Sequence, residues 1–240
     1  MTQIEVRPVE VDAIAQLRDE FRAKANCQIV HDSILPRRLA DAYLVTCAGE
    51  VAGYGGIWTK HFPNRVVEFH ALENQRKRRG AMFGAFVEVS GATELEAQTN
   101  MPMMLDLLEE FGSTPIVEKL LFEDGSATAL EHPNGIFRRR HPGESGPKGE
   151  WVVESQGEIV AAGGVMTHYN PPYGDLYMEV RLANRRQGLG SFIVQELRRV
   201  CRESGLVPAA RCDPDNAASQ RALERGGMAL CGSLLAASLQ

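Results

Sequence analysis

The sequence predicts an α/β fold laid out as two tandem domains. Strand-like and helical stretches alternate along the chain, a glycine-containing turn joins one such strand to a helix, and the two halves match at a fixed offset. The turn is Arg185-Arg186-Gln187-Gly188-Leu189-Gly190-Ser191. Before it, Leu176-Tyr177-Met178-Glu179-Val180 has the apolar and aromatic content of a strand. After it, Ile193, Val194, Leu197, Val200 and Cys201 recur at helical spacing. The first amides of a helix have no intrahelical partner and carry the positive end of its dipole, so such a turn suits an anion. Gly188 and Gly190 lack a Cβ and let a phosphate approach the backbone. A dinucleotide fingerprint would need a third glycine near Val194, and a P-loop would need a lysine before Ser191; the sequence has neither. A helix-capping turn with two solvated arginines is the simpler alternative.

The internal repeat is long and ungapped. Gly49-Glu50-Val51-Ala52 matches Gly157-Glu158-Ile159-Val160, and Gly55-Gly56-Ile57 matches Gly163-Gly164-Val165. Thr59 pairs with Thr167, Pro63 with Pro171, Phe69 with Tyr177 and Gly80 with Gly188, all 108 residues apart. The first copy's turn is altered: Lys77 stands for Arg185 and Met82 for Gly190. A methionine there is expected to block the approach of a pyrophosphate.

Element by element, Ile4–Val9 is a candidate strand, and Val11–Lys24 and Ser33–Asp41 are candidate helices. Ala42–Ala48 and Val51–Lys60 alternate around Gly49-Glu50 as a hairpin. Val66–Leu72, a helix over Met82–Val89 and Leu95–Thr99 complete the first copy. The second runs through Glu150–Ser155, Glu158–His168, Leu176–Val180, Ser191–Glu203 and Val207–Arg211 to a last helix from Asn216. Between Leu121 and Lys148 the pattern shows no clear elements, and the Pro/Gly-rich passage around Arg138-Arg139-Arg140 reads as an exposed connector or a flap.

Composition narrows the function. With 44% hydrophobic and 24% charged residues, each copy of this 240-residue chain has enough apolar material for a core. A net charge of −5 argues against broad nucleic-acid binding, and Arg76-Lys77-Arg78-Arg79 reads as a solvated turn or a relic. No apolar run reaches the ~20 residues of a membrane span, and Met1–Glu5 lacks the features of a signal peptide. Cys27, Cys47, Cys201, Cys212 and Cys231 form no Cys-x-x-Cys pair, so free thiols in a reducing, cytoplasmic setting are expected.

Arg185-x-x-Gly188-x-Gly190 resembles the pyrophosphate loop of the GNAT acetyltransferase superfamily. Asn216-x-x-Ser219, opening a helix that closes on Gly226-Gly227-Met228, is similar to that family's second signature, with Met228 where phenylalanine is usual. The resemblance implies two GNAT-like domains, each a mixed, mostly antiparallel sheet flanked by helices. Residues 1–125 would be a degenerate copy serving structure or recognition, and 126–240 the acetyl-CoA-binding one. Acetyl-CoA would be the co-substrate, with no metal. Met178 and Val180 would hold it along their strand, Arg185, Arg186, Gln187, Gly188, Leu189, Gly190 and Ser191 its pyrophosphate, with Asn216 and Ser219 alongside.

The implied activity is direct acetyl transfer to a primary amine of a small molecule or peptide. Asp175 and Glu179 are the candidate bases, either of which may equally be an ordinary surface carboxylate; His168 and Tyr169 come behind them. Many members place a tyrosine, as thiolate acid, where this chain has Leu223. Water, Ser219, Tyr177 or Cys212 would then supply the proton, or the site does not turn over. The alternative is a non-catalytic acyl-CoA-binding or protein-interaction module. A homodimer is a family expectation, with neither nucleic acid nor membrane as partner. Gly190→Met is expected to abolish cofactor binding and leave the fold intact.

Overall fold

The structure is a computed structural model that describes residues 3–24, 33–132, 134–168 and 170–240. The chain separates into two compact units, Met1–Glu118 with Gly232–Gln240, and Lys119–Cys231. These bounds differ from a division at 125/126 because the last nine residues belong to the first unit.

The first unit runs β1 (Ile4–Val9), α1 (Ala15–Arg22), β2 (Ala40–Cys47), β3 (Glu50–Trp58), β4 (Arg65–Ala71), α2 (Arg79–Ser90), β5 (Glu94–Gln98) and α3 (Pro102–Phe111). Strands β1 to β4 pair antiparallel in sequence order, and β4 pairs β5 in parallel. The chain continues through β6 (Ile116–Asp124), β7 (Ile136–Arg139), β8 (Trp151–Ser155), β9 (Glu158–Met166), β10 (Tyr173–Val180), α4 (Leu189–Glu203), β11 (Val207–Cys212), α5 (Ala217–Arg225) and β12 (Met228–Ser238). In the second unit the strand order is β6-β11-β10-β9-β8-β7. Only the β10–β11 pairing is parallel there.

The repeated hairpins form as their sequences predict. Ala48-Gly49 and Gln156-Gly157 take left-handed conformations, with φ of 51° and 82° in one turn and 51° and 80° in the other. Two consecutive positive φ values match the twist of the flanking strands. Each hairpin carries an irregularity at the equivalent place, Val45/Thr46 and Val153/Glu154. The sheet register separates the copies further on: Gly55 faces Phe69, whereas Gly163 faces Met178 rather than Tyr177.

Each unit is completed by a strand that follows the other unit's last helix. After α3 the chain enters β6, whose Leu120–Glu123 pair with β11. After α5 it enters β12, whose Leu234–Ser238 pair with β5. Neither strand was legible as a partner, because pairing across such sequence distances leaves no local pattern.

Two expectations are corrected. The segment 33–38 forms turns instead of a helix, Arg38 adopts φ 55°, and β2 begins at Ala40. The arginine run at 138–140 is no exposed connector. Ile136–Arg139 is a strand, Arg138 bridges Glu144 and Glu154, and Arg140 donates to the carbonyls of Gly149 (2.8 Å), Glu144 (2.9 Å) and Pro147. Hydrogen bonds from Arg138 hold the Glu144 carboxyl down at about 2. Arg138 and Arg140 order the loop that follows them.

The first unit's sheet buries an unusual number of polar groups. Arg18 on α1 makes a two-pronged contact with Glu68, at 3.0 Å to each oxygen, and Tyr54 donates to the same carboxylate at 2.8 Å. Such a pair satisfies charges that would be costly alone. Glu96 is 3% exposed and lies 3.6 Å from Arg65. Burial pushes its carboxyl from 4.5 to about 8, against the pull of Arg65.

Two outcomes follow. Separately expressed 1–125 and 126–240 each lack a strand that their unit requires, so circular dichroism should show neither fragment folding alone. Between pH 4.5 and about 8 the folded chain retains a proton on Glu96 that the unfolded chain has released, so this group makes stability fall as pH rises. Urea denaturation across that range should show Glu96→Gln without this decline, gaining on the native protein up to about pH 8 and keeping that gain above it.

Candidate active site

The site of the second unit begins where two strands part. Tyr173, Gly174 and Asp175 face Val207, Pro208 and Ala209, and the β10–β11 register ends there. On its other edge β10 stays paired with β9 from Asp175 to Val180. The Val207 N–H donates to the Pro172 carbonyl at 2.9 Å. Because backbone groups alternate along a strand, those of Leu176, Met178 and Val180 face the opening.

Above that opening sits the start of α4. Arg186 and Gly188 have φ of 63° and 83°, and Gly188 is the N-cap residue with no side chain capping the helix. The left-handed conformation suits glycine because a Cβ would crowd the carbonyl. The first-turn amides are thus left for a ligand or water. A Cβ on Gly190 would lie 3.2 Å from Ala222 Cβ on α5, 3.7 Å from Met178 Cε and 3.9 Å from Val180 Cγ2. Gly190 therefore permits close packing of α4 against α5, and it stands over the very β10 residues whose backbone faces the gap.

Between the parted strands lies a cleft of about 220 Å³. Met166, Asp175, Tyr177 and Arg211 line it, together with Leu176, Met178, Val194, Leu197, Ser219 and Leu223. Asp175 is 2% exposed, and its Oδ2 lies 3.4 Å from Arg211 Nε. Tyr177 lies opposite Gly164, and a Cβ on that glycine would meet the Tyr177 hydroxyl at 2.7 Å. The missing side chain lets the phenol lie across β9. Asn216 caps α5 by accepting the Ser219 N–H at 3.0 Å. Burial pushes the Cys212 thiol up, while the Ser219 side chain beside it acts in the opposite direction.

The residues named from the sequence fall into groups. Met178, Val180, Gly188, Gly190 and Ser219 come together around the opening. Arg185 donates to the Val180 carbonyl at 3.2 Å, Arg186 and Gln187 are exposed, and the side chains of Leu189 and Ser191 are buried, leaving their amides as the contributing groups. Asn216 is exposed and shapes the start of α5. Asp175 lines the cleft; Glu179 is exposed and does not line it. His168 is exposed away from the cleft, and Tyr169 lies outside the described residues. Leu223, 4% exposed, fills the position where a tyrosine was expected. Arg211 and Met166 were missed, and their only signal was strand alternation. Among the described residues no group of His, Cys, Asp or Glu is placed to hold a metal ion. No described helix is long and apolar enough to cross a membrane.

Residues 114–228 match the model of the acetyltransferase (GNAT) family. Among solved structures, an acetyltransferase of that family from Colwellia psychrerythraea is similar at a TM-score of 0.77 and 14% identity, covering 98% of this chain and 100% of its own. A GCN5-related N-acetyltransferase from Sphaerobacter thermophilus gives 0.67 and 15%, with coverage of 98% and 95%. A tandem GNAT protein from the clavulanic acid biosynthesis pathway gives 0.61 and 13%, covering 98% of each chain. No curated protein sequence matches the chain. The family model covers just under half of the chain, and the solved structures share its fold.

The close approach at Gly190 means that Gly190→Met should cost stability as well as cofactor binding. A methionine there would press α4 away from α5. Thermal denaturation should show Gly190→Met destabilised by ~1–3 kcal/mol. Gly188→Ala meets no neighbour but must hold a positive φ, so its loss should be smaller, about 1 kcal/mol.

Proposed function

We propose that the chain is a tandem GNAT protein whose second unit is an acetyl-CoA-dependent N-acetyltransferase acting on a primary amine of a small molecule or peptide. The parting of β10 from β11 beneath the uncapped start of α4 carries this reading. It pairs a strand edge able to bind an extended amide-containing arm with amides able to bind a pyrophosphate. Acetyl-CoA would supply a thioester activated toward attack by nitrogen. The backbone N–H groups of β10 facing the gap would orient and polarise the carbonyl, and the α4 amides would anchor the far end.

Asp175 is the better base of the two carboxylates, because it alone lines the cleft and Arg211 fixes its position. It would take the proton from the acceptor's ammonium group. The neutral nitrogen would then form the new N–C bond, the C–S bond would break, and the second proton lost by the nitrogen would pass through Ser219 or water to the leaving sulfur. The Ser219 side chain lines the same cleft.

The first unit supports its own reading as a degraded copy. Its β4–β5 pairing also stops early, at Val66↔Leu95, so it keeps the parted strands. Yet α2 begins at Arg79 without the left-handed glycine, and Met82 is fully buried in the core beside Phe83 and Phe86. The Glu110 carboxylate lies against the first turn of α2, with Oε1 2.6 Å from where a Gly80 Cβ would stand. A negative charge there opposes a phosphate. We infer a structural or recognition role, and a setting in the cytoplasm without nucleic-acid or membrane partners.

One observation favours a second reading, a non-catalytic acyl-CoA-binding module: Leu223 puts an aliphatic side chain where the family commonly has the tyrosine that serves as thiolate acid. Turnover separates the two. Acetyl-CoA at about a hundred times its dissociation constant should add ~2.7 kcal/mol of stability in a thermal-shift titration. In an amine screen Asp175→Asn should then lower kcat by about a hundredfold or more, and Glu179→Gln by far less. Stabilisation without amine-dependent turnover would select the binding module, and no stabilisation by any CoA species would reject both.

A further inference from the structure

The cleft has two chemically different ends. Asp175 and Tyr177 project from one face of β10, and Leu176 and Met178 from the other. Met178 lies opposite Gly163, and a Cβ on Gly163 would meet Leu197 Cδ1 of α4 at 2.9 Å, so α4 covers the Leu176–Met178 face. The cleft therefore runs through the gap in the sheet, from the Asp175–Arg211 pair to an apolar end under α4 and α5. That end is formed by Leu176, Val194, Leu197 and Leu223, which are 6%, 0%, 0% and 4% exposed yet border open space. None of these four carries a polar side-chain atom.

We propose that this apolar end holds the acyl chain of a donor longer than acetyl, presented as its CoA thioester. The proposal rests on the reading of the cleft as an acyl-CoA site and puts a longer acyl chain in place of acetyl on the donor. An acetyl group brings a single methyl to a wall of four large aliphatic side chains, whereas a chain of several methylenes covers that wall and leaves water. Leu223 is decisive. A phenol at its position would bring a hydroxyl into the apolar end, and leucine extends the hydrocarbon lining instead. The transfer step keeps its balance for any chain: the acceptor nitrogen forms a bond to the acyl carbon, the C–S bond breaks, and the sulfur leaves as thiolate and takes a proton.

Isothermal titration of the full chain with CoA, acetyl-CoA, butyryl-CoA and hexanoyl-CoA, without amine, tests this. Each methylene buried should tighten binding about fourfold, so butyryl-CoA should bind roughly tenfold or more tightly than acetyl-CoA. Equal affinities along the series, or tightest binding of acetyl-CoA, would overturn the proposal while leaving the acyl-CoA site intact. Failure of all four to bind would overturn the site itself. Leu223→Phe narrows the apolar end and should reduce the butyryl advantage by about tenfold. An unchanged advantage in a folded variant would overturn the placement of the chain beside Leu223. Should that variant not fold, the series on the native protein decides alone.

Discussion

The second unit's site depends on one side chain, Arg198. It is 1% exposed, and its guanidinium reaches Asp124 Oδ1 at 2.9 Å and the carbonyls of Gly226 at 2.6 Å, Ser126 at 3.0 Å and Gly125 at 3.2 Å. These contacts tie the middle of α4 to the end of β6 and to the turn that closes α5. A planar guanidinium with five fixed donors can do this, whereas an ammonium on a flexible stem would not hold the same geometry. Gly227 makes room for it: at φ 93° a Cβ would stand 1.8 Å from an Arg198 nitrogen. Gly227 is thus required by the clamp, whereas Gly226 makes room for Val194 of α4. With α4 held, its N-terminal turn is held above the gap in the sheet.

That gap follows from the strands on either side. β10 keeps its antiparallel partner along its length and loses its parallel one after Asp175. Unpaired strand edges are normally covered or blunted because they recruit other chains. Here the edge lies over a cleft bordered by α4 and α5, where an extended ligand can complete it. The same opening lets Asp175 and Arg211 meet on one side while aliphatic side chains line the other. A buried carboxylate and an apolar surface are thereby separated by the thickness of one strand.

In the first unit α2 begins without a left-handed glycine. Large aromatic side chains fill its core: Phe69 lies edge-on to Phe83 at 5.1 Å and tilted against Phe86 at 5.7 Å. A Cβ at Gly55 would strike the Phe86 ring at 2.6 Å, so this glycine serves the aromatic core. On the other face, α1 covers the sheet through the Arg18–Glu68–Tyr54 contacts. Burial also raises the Tyr54 phenol well above its ordinary value, keeping it protonated and able to donate.

Much of this was written locally in the chain. The hairpins at Gly49 and Gly157, the uncapped turn at Gly188 and the Asn216 cap could be read from short patterns, because positive φ, missing Cβ atoms and capping side chains act over a few residues. So could the family resemblance and the likeness of the two halves. The role of Gly190 in packing against Ala222, the pairing of Asp175 with Arg211, the clamp of Arg198 and the passage of β6 and β12 into opposite units could not. Each is a contact between segments far apart in sequence, formed only when helices and strands are brought together, and it leaves no periodicity for the sequence to display. The sequence by itself determined the elements and the turn that starts α4; only the tertiary structure decided which side chains face the cleft, because facing is settled by packing between elements.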